Sequence, residues 1–133
     1  EDFAIAEKYL AMEANQNSLN DAVVNKTYSP TSSKVFVIDI DGVVASLIAN
    51  NDYRFCQPIK KNIEMINALY RAGHRIILFT ARGSMTGIDW SEITQQQLAD
   101  WQVLYHDLKF GKPAADFYID DRMIALDETS CFI

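Results

Sequence analysis

Thiols and imidazoles are scarce in this chain: its 133 residues include two cysteines and two histidines. Cys56 and Cys131 lie far apart and match no metal or redox spacing. With no secretory signal to place them in an oxidising compartment, they read as reduced thiols rather than a disulfide. His74 and His106 are too few and too separated for a histidine metal site, which leaves them core or surface roles. No apolar run approaches the roughly 20 residues that a spanning helix needs. Positive charge is short as well: 12 Lys and Arg against 18 Asp and Glu give a formal net charge of −6. Such a surface repels phosphate backbones and anionic lipid, so neither nucleic acid nor membrane is expected as a partner, and the expected location is cytoplasmic. Hydrophobic residues at 49% and charged residues at 23% are close to globular averages, which excludes wholesale disorder. The length is that of one ordinary domain.

The chain opens at Glu1 rather than Met, and so reads as processed or cut from something longer. Residues 1–14 carry Phe3, Ala6, Leu10 and Ala14 at three- and four-residue steps behind an acidic start, which predicts a short helix. Residues 15–33 are rich in Asn, Ser and Thr and read as a linker. Asn25-Lys26-Thr27 fits a glycosylation sequon but lacks the secretory signal that would give it meaning. From Lys34 to Ile133 the pattern is that of one catalytic-sized domain. Val35-Phe36-Val37-Ile38 predicts a strand buried on both faces of a parallel sheet. Pro58 introduces a helix with Ile59, Ile63, Ile66, Leu69 and Tyr70 inward, stopped by Gly73. A second buried strand covers Arg75–Phe79. Asp89 and Glu92 predict a capping box for a helix with Trp90, Ile93, Leu98 and Trp101 on its apolar side. Two short strands are expected over Tyr105–Phe110 and Phe117–Ile119. Strand, helix, strand, helix, strand is the rhythm of an α/β domain, a Rossmann-like parallel sheet sandwiched by helices. No internal repeat is visible.

Ligands of such folds bind beyond the carboxyl ends of the strands. Asp39 and Asp41 follow the first strand, Thr80 the second, Lys112 precedes the last, and Asp120 and Asp121 follow it. Singly, each has a bland explanation: solvated turn chemistry, a β-former, a surface charge, a helix cap. In this order at successive strand ends they read as an active site. Carboxylates gathered at one sheet edge repel by roughly 4 kcal/mol per pair at about 4 Å and an effective dielectric near 20. A hard cation relieves this, and Mg²⁺ takes oxygen ligands from carboxylates, water and phosphate. One carboxylate of the first pair would attack phosphorus and the other handle protons. The Thr80 hydroxyl, N–H groups of the following Ala81-Arg82 turn and the Lys112 charge would hold a phosphoryl group.

Val35–Val44 (VFVIDIDGVV), Leu78–Arg82 (LFTAR), Gly111-Lys112-Pro113 and Tyr118–Asp121 (YIDD) resemble the four ordered motifs of the haloacid dehalogenase-like (HAD) superfamily. The resemblance spans residues 34 to about 124. It implies Asp39 as nucleophile, Asp41 as general acid/base, and Thr80 and Lys112 as phosphate ligands. It also implies Asp120 and Asp121 as Mg²⁺ carboxylates beside Asp39 and the Asp41 carbonyl. Because the dehalogenase branch lacks the second acid, Asp41 points to phosphate ester hydrolysis. Val43 stands where many relatives have Thr, which puts the local turn hydrogen bonding in question. The stretches TARGSMTGIDW and FGKPAADFYIDD further resemble small hydrolases found among bacterial capsule and lipopolysaccharide synthesis genes. That implies a small phosphorylated sugar or polyol as substrate. Between Val44 and Pro58 there is room for a flap but not for a large cap domain, so selectivity falls to that flap, to the Gly83–Asp89 loop with Arg82 at its start, or to a partner subunit. The opening EDFAIAEKYL resembles the last helix of sugar-phosphate nucleotidyltransferases, which implies a fused or associated enzyme of that kind.

Other readings use the same residues. A phosphotransferase or mutase would shield the acyl-phosphate from water. A binding module would keep the fold without the chemistry. A signalling receiver domain places its adjacent acidic pair after the first strand, whereas here Asp120-Asp121 comes last.

Overall fold

Residues 33–133 are described by the structure, a computed structural model of the chain. The expected N-terminal helix, the Asn25 sequon and all but the last residue of the linker lie outside the described residues. Lys34–Ile133 forms a compact unit whose sheet has three parallel strands in the order β1 (Val35–Asp39), β2 (Arg75–Phe79), β3 (Asp107–Lys109). Helix α1 (Lys60–Arg71) joins the first two strands and helix α2 (Ser91–Asp100) the next two. The fold is therefore α/β with a parallel sheet, as the alternation of β-rich and helical segments predicts. Among the described residues no helix is long and apolar enough to cross a membrane.

Register explains the core. Phe36 pairs with Ile76, and Ile38 with Leu78, which in turn pairs with Leu108. Paired residues in a parallel sheet leave the same side, so these five form one face, against which Ile63, Ile66 and Leu69 of α1 are packed. Ile66, Leu69, Ile76 and Leu78 are fully buried, and truncating one such side chain to alanine typically costs about 2–5 kcal/mol. The opposite face carries Val35, Val37 and Asp39. Val35 and Val37 are each 61% exposed, which corrects the expectation of a strand buried on both sides. A continuous apolar run does not reveal which of its faces is covered.

Helix α1 ends in a Schellman pair, with His74 N–H on the Leu69 carbonyl at 3.2 Å and Gly73 N–H on the Tyr70 carbonyl at 3.1 Å. His74 then ties the chain together. Its Nδ1 accepts the Lys34 N–H at 3.0 Å, which leaves the ring hydrogen on Nε2 to meet the Phe132 carbonyl at 2.7 Å. That bond holds the C-terminal 3₁₀ helix (Leu126–Phe132). His106 accepts the Ile76 N–H and stacks on Tyr70. Both imidazoles thus serve the fold, and Cys56 is a free thiol.

The second correction concerns the last expected strand. Phe117–Ile119 makes no ladder, and Phe117 and Ile119 are 84% and 97% exposed. Strand β3 is also shorter than the Tyr105–Phe110 expected for it. Three apolar residues carry a β signal without saying whether a partner edge is in reach.

Candidate active site

The site begins where β1 runs out. Asp39 is the last residue of the strand, on its less covered face, and its Oδ1 accepts the Ile40 N–H at 2.9 Å. The chain then folds back sharply: the Ile40 carbonyl accepts the N–H groups of Val43, Val44 and Ala45 at 3.1, 2.8 and 2.9 Å. The turn is closed by main-chain atoms alone, so Val43 costs it nothing. Its carbonyl is held by Asn62 Nδ2.

Lys112 reaches the same point from the far side of the sheet. Its Nζ lies 3.4 Å from Asp39 Oδ2 and 4.1 Å from the centre of the Tyr118 ring. Lys112 N–H is bonded to the Thr80 carbonyl, and the Lys112 carbonyl accepts the Ser84 hydroxyl at 2.7 Å, so the end of β2 fixes its backbone. Partial burial pushes the Asp39 carboxyl above the ordinary aspartate range. The Lys112 charge and the Ile40 N–H oppose that rise, and the nearby Asp41 charge adds to it.

Thr80 directly follows β2 and is fully buried. Its Oγ1 accepts the Arg82 N–H at 3.1 Å, which leaves the hydroxyl hydrogen available to donate. Ala81 turns the chain, its carbonyl taking the Ser84 N–H. Arg82 departs from the sequence expectation of a substrate reader. Its side chain has no solvent exposure, and its guanidinium is directed at Asp41: Nη2 to Oδ1 at 2.9 Å, Nε to Oδ2 at 3.0 Å. Thr94 and Gln97 of α2 accept from Nη1 at 3.0 and 2.7 Å. The Tyr53 ring covers the group at 4.7 Å. Tyr53 opens the three-residue 3₁₀ helix Tyr53–Phe55, the only regular element between Val44 and Pro58. Gln97 Nε2 donates to its carbonyl at 2.6 Å.

Cys56 closes that short helix, buried, with Sγ 3.8 Å from Asp41 Oδ1. Burial and the Asp41 charge push its thiol up, so it stays protonated and is a poor nucleophile. Tyr53, Cys56, Thr94 and Gln97 were missed by sequence reasoning. They come from a flap and a helix that share no motif spacing with Asp41.

Asp120 and Asp121 stand apart from this group. Both are exposed. Asp120 Oδ1 takes the Arg122 N–H at 2.9 Å, a bond that lowers its carboxyl below the usual range, helped by Asp121. Among the described residues no three of His, Cys, Asp and Glu come together as a metal cluster. The structure thus joins Asp39, Asp41, Thr80, Arg82 and Lys112, and leaves the second acidic pair outside. A cavity of about 230 Å³ lies beside Arg82, between Gly83-Ser84, Gly87–Trp90 and Phe110-Gly111. It adjoins the expected specificity loop and is not lined by Asp39 or Lys112.

No family model and no curated protein matches the chain. Among solved structures, it is similar to the crystal structure of an MCSG target from Vibrio cholerae, which carries no functional name. The two share 30% sequence identity with a TM-score of 0.65, over 71% of this chain and 85% of that one. At that identity and coverage the two proteins belong to one family.

Proposed function

We propose that the chain is a Mg²⁺-dependent phosphomonoesterase of the HAD-like kind, acting through an aspartyl-phosphate on a small phosphorylated sugar or polyol in surface-polysaccharide precursor synthesis. The observation that carries this reading is one juxtaposition at the carboxyl edge of the sheet. Asp39 lies against the Lys112 ammonium, with Asp41 two residues on and Thr80 at the end of the neighbouring strand. A carboxylate beside a cation, partly shielded from water, is equipped to attack a phosphoryl group whose charge that cation offsets.

In the first step an Asp39 oxygen bonds to phosphorus as the ester P–O bond breaks, and Asp41 gives the leaving oxygen its proton. In the second, Asp41 takes a proton from water, which attacks phosphorus and releases inorganic phosphate with Asp39 restored. Lys112 and the Thr80 hydroxyl orient the phosphoryl oxygens. The Asp39 carboxylate and Asp41 main-chain carbonyl are hard oxygen donors of the type Mg²⁺ prefers. Asp120 and Asp121 would complete the set if Phe117–Ile119 were laid along β1. Two features favour that: β1 has one strand partner among the described residues, and the segment holds apolar side chains in solvent. Bound there, the ion would neutralise the phosphoryl oxygens and the crowded carboxylates.

Phosphate release from a panel of phosphorylated sugars and polyols, with Mg²⁺ and with excess chelator, tests the proposal. Turnover should require the metal, and Asp120→Ala should raise the Mg²⁺ concentration needed or remove turnover. Full activity in chelator would defeat it.

A further inference from the structure

Arginine offers five N–H donors in a planar fork. Arg82 spends its fork on Asp41, Thr94 and Gln97 with no solvent exposure. Four of the five donors are committed in this way, and the group is out of reach of solvent and so of a bound substrate. The two Asp41 oxygens are treated unequally. Oδ1 receives Nη2 at 2.9 Å, a longer Nε contact at 3.3 Å and the Cys56 thiol at 3.8 Å, whereas Oδ2 receives Nε alone at 3.0 Å. Oδ2 is therefore the oxygen with lone-pair capacity to spare, on a side chain that keeps 19% of its exposure.

We infer that Arg82 is a positioning residue, which fixes the Asp41 carboxylate so that Oδ2 is the atom that exchanges protons with leaving group and water. This assignment rests on the phosphatase reading. Thr94, Gln97 and the Tyr53 ring brace the guanidinium, so the orientation of Asp41 is set from helix α2 and the flap, through Arg82. Lysine keeps the charge but cannot reproduce a fork held at three points. Proton delivery matters for a poor leaving group and little for a good one, and that difference separates positioning from phosphate binding.

The test compares glycerol 3-phosphate with 4-nitrophenyl phosphate for wild type, Arg82→Lys and Thr94→Val, the last loosening the brace without touching Asp41. Arg82→Lys should lower kcat/KM, which reads the transfer to Asp39 and not the shared hydrolysis step, about 10²-fold or more on the alkyl ester and only a few-fold on the aryl ester. Thr94→Val should show the same pattern more weakly. In an Asp41→Asn background, Arg82→Lys should add almost nothing. Equal losses of kcat/KM on both esters, or losses that multiply with Asp41→Asn, would overturn the assignment. A cycle of urea unfolding on Asp41→Asn, Arg82→Met and the double variant reads the contact without catalysis. The double variant should be destabilised at least tenfold less, in unfolding equilibrium constant, than the two single effects combined, because each single change strands a partner. Strict additivity would overturn the clamp whatever the activity. A coupled cycle in a wild-type protein that hydrolyses neither ester would instead overturn the phosphatase reading, and the catalytic role of Arg82 with it.

Discussion

Asp39 is held in a state that the fold would relax if it could. Its carboxyl is pushed up, first by burial, with Lys112 opposing and Asp41 adding. A group whose folded pKa is raised gives its full contribution to stability below the unfolded pKa, and that contribution is lost as pH rises through the folded pKa. At neutral pH the charged Asp39 is therefore a cost. Metal-free Asp39→Asn should melt at a higher temperature than wild type at pH 7, and the gain should vanish once the pH falls below the ordinary aspartate range. Thermal melts across pH check this; a variant less stable at pH 7 would mean the Lys112 pairing outweighs burial. Asp41 has the complementary task. Asp41→Asn should slow breakdown of the phospho-enzyme by about 10²–10⁴, seen as a slow second phase after rapid quench, and breakdown at the wild-type rate would remove Asp41 from that role.

At the scale of elements, the loop after β2 is the most constrained piece of the site. Gly83 has φ +81, and a Cβ there would lie 2.2 Å from the Ile88 carbonyl oxygen, whereas a Cβ at Gly87, φ +78, would meet nothing. Both substitutions carry backbone strain of order 1–3 kcal/mol, but only Gly83→Ala must also displace the loop that lines the cavity. Urea denaturation should show Gly83→Ala clearly less stable than Gly87→Ala, and equal losses would mean the loop yields freely. Elements with strong local signals were legible in advance: β2 has the boundaries expected for it, and α1 ends at the glycine that marks its stop. Asp89 accepts the Ser91 N–H at 2.9 Å, but the capping box expected with Glu92 does not form: α2 starts behind Trp90 with no side-chain cap, because Asp89 sits one residue too early. What the sequence did not disclose were facts about second partners. Val37 lies in an apolar run yet faces outward, Phe117–Ile119 has β character without a ladder, and Arg82 sits in a motif beside Thr80 but turns toward Asp41. Each depends on a distant segment, and neither periodicity nor spacing encodes that.

Across the whole described unit, parallel topology turns sequence order into spatial coincidence. Three strands ending on one edge bring Asp39, Thr80 and the approach to Lys112 together, although they are spread over more than half the chain. Helix α2 and the flap meet over Arg82 and so connect the second crossover to the loop after β1. The central claim is that this edge carries out phosphoryl transfer to Asp39. The most direct measurement is to mix the Asp41→Asn variant with Mg²⁺ and 4-nitrophenyl phosphate, whose leaving group departs without a proton, quench in acid, and map the modified peptide by mass spectrometry. A single phosphoryl group is expected on the peptide containing Asp39, lost on treatment with hydroxylamine and missing from the Asp39→Asn, Asp41→Asn double variant. A phosphoryl group on another residue, or none while the wild-type chain turns over the same substrate, would contradict it.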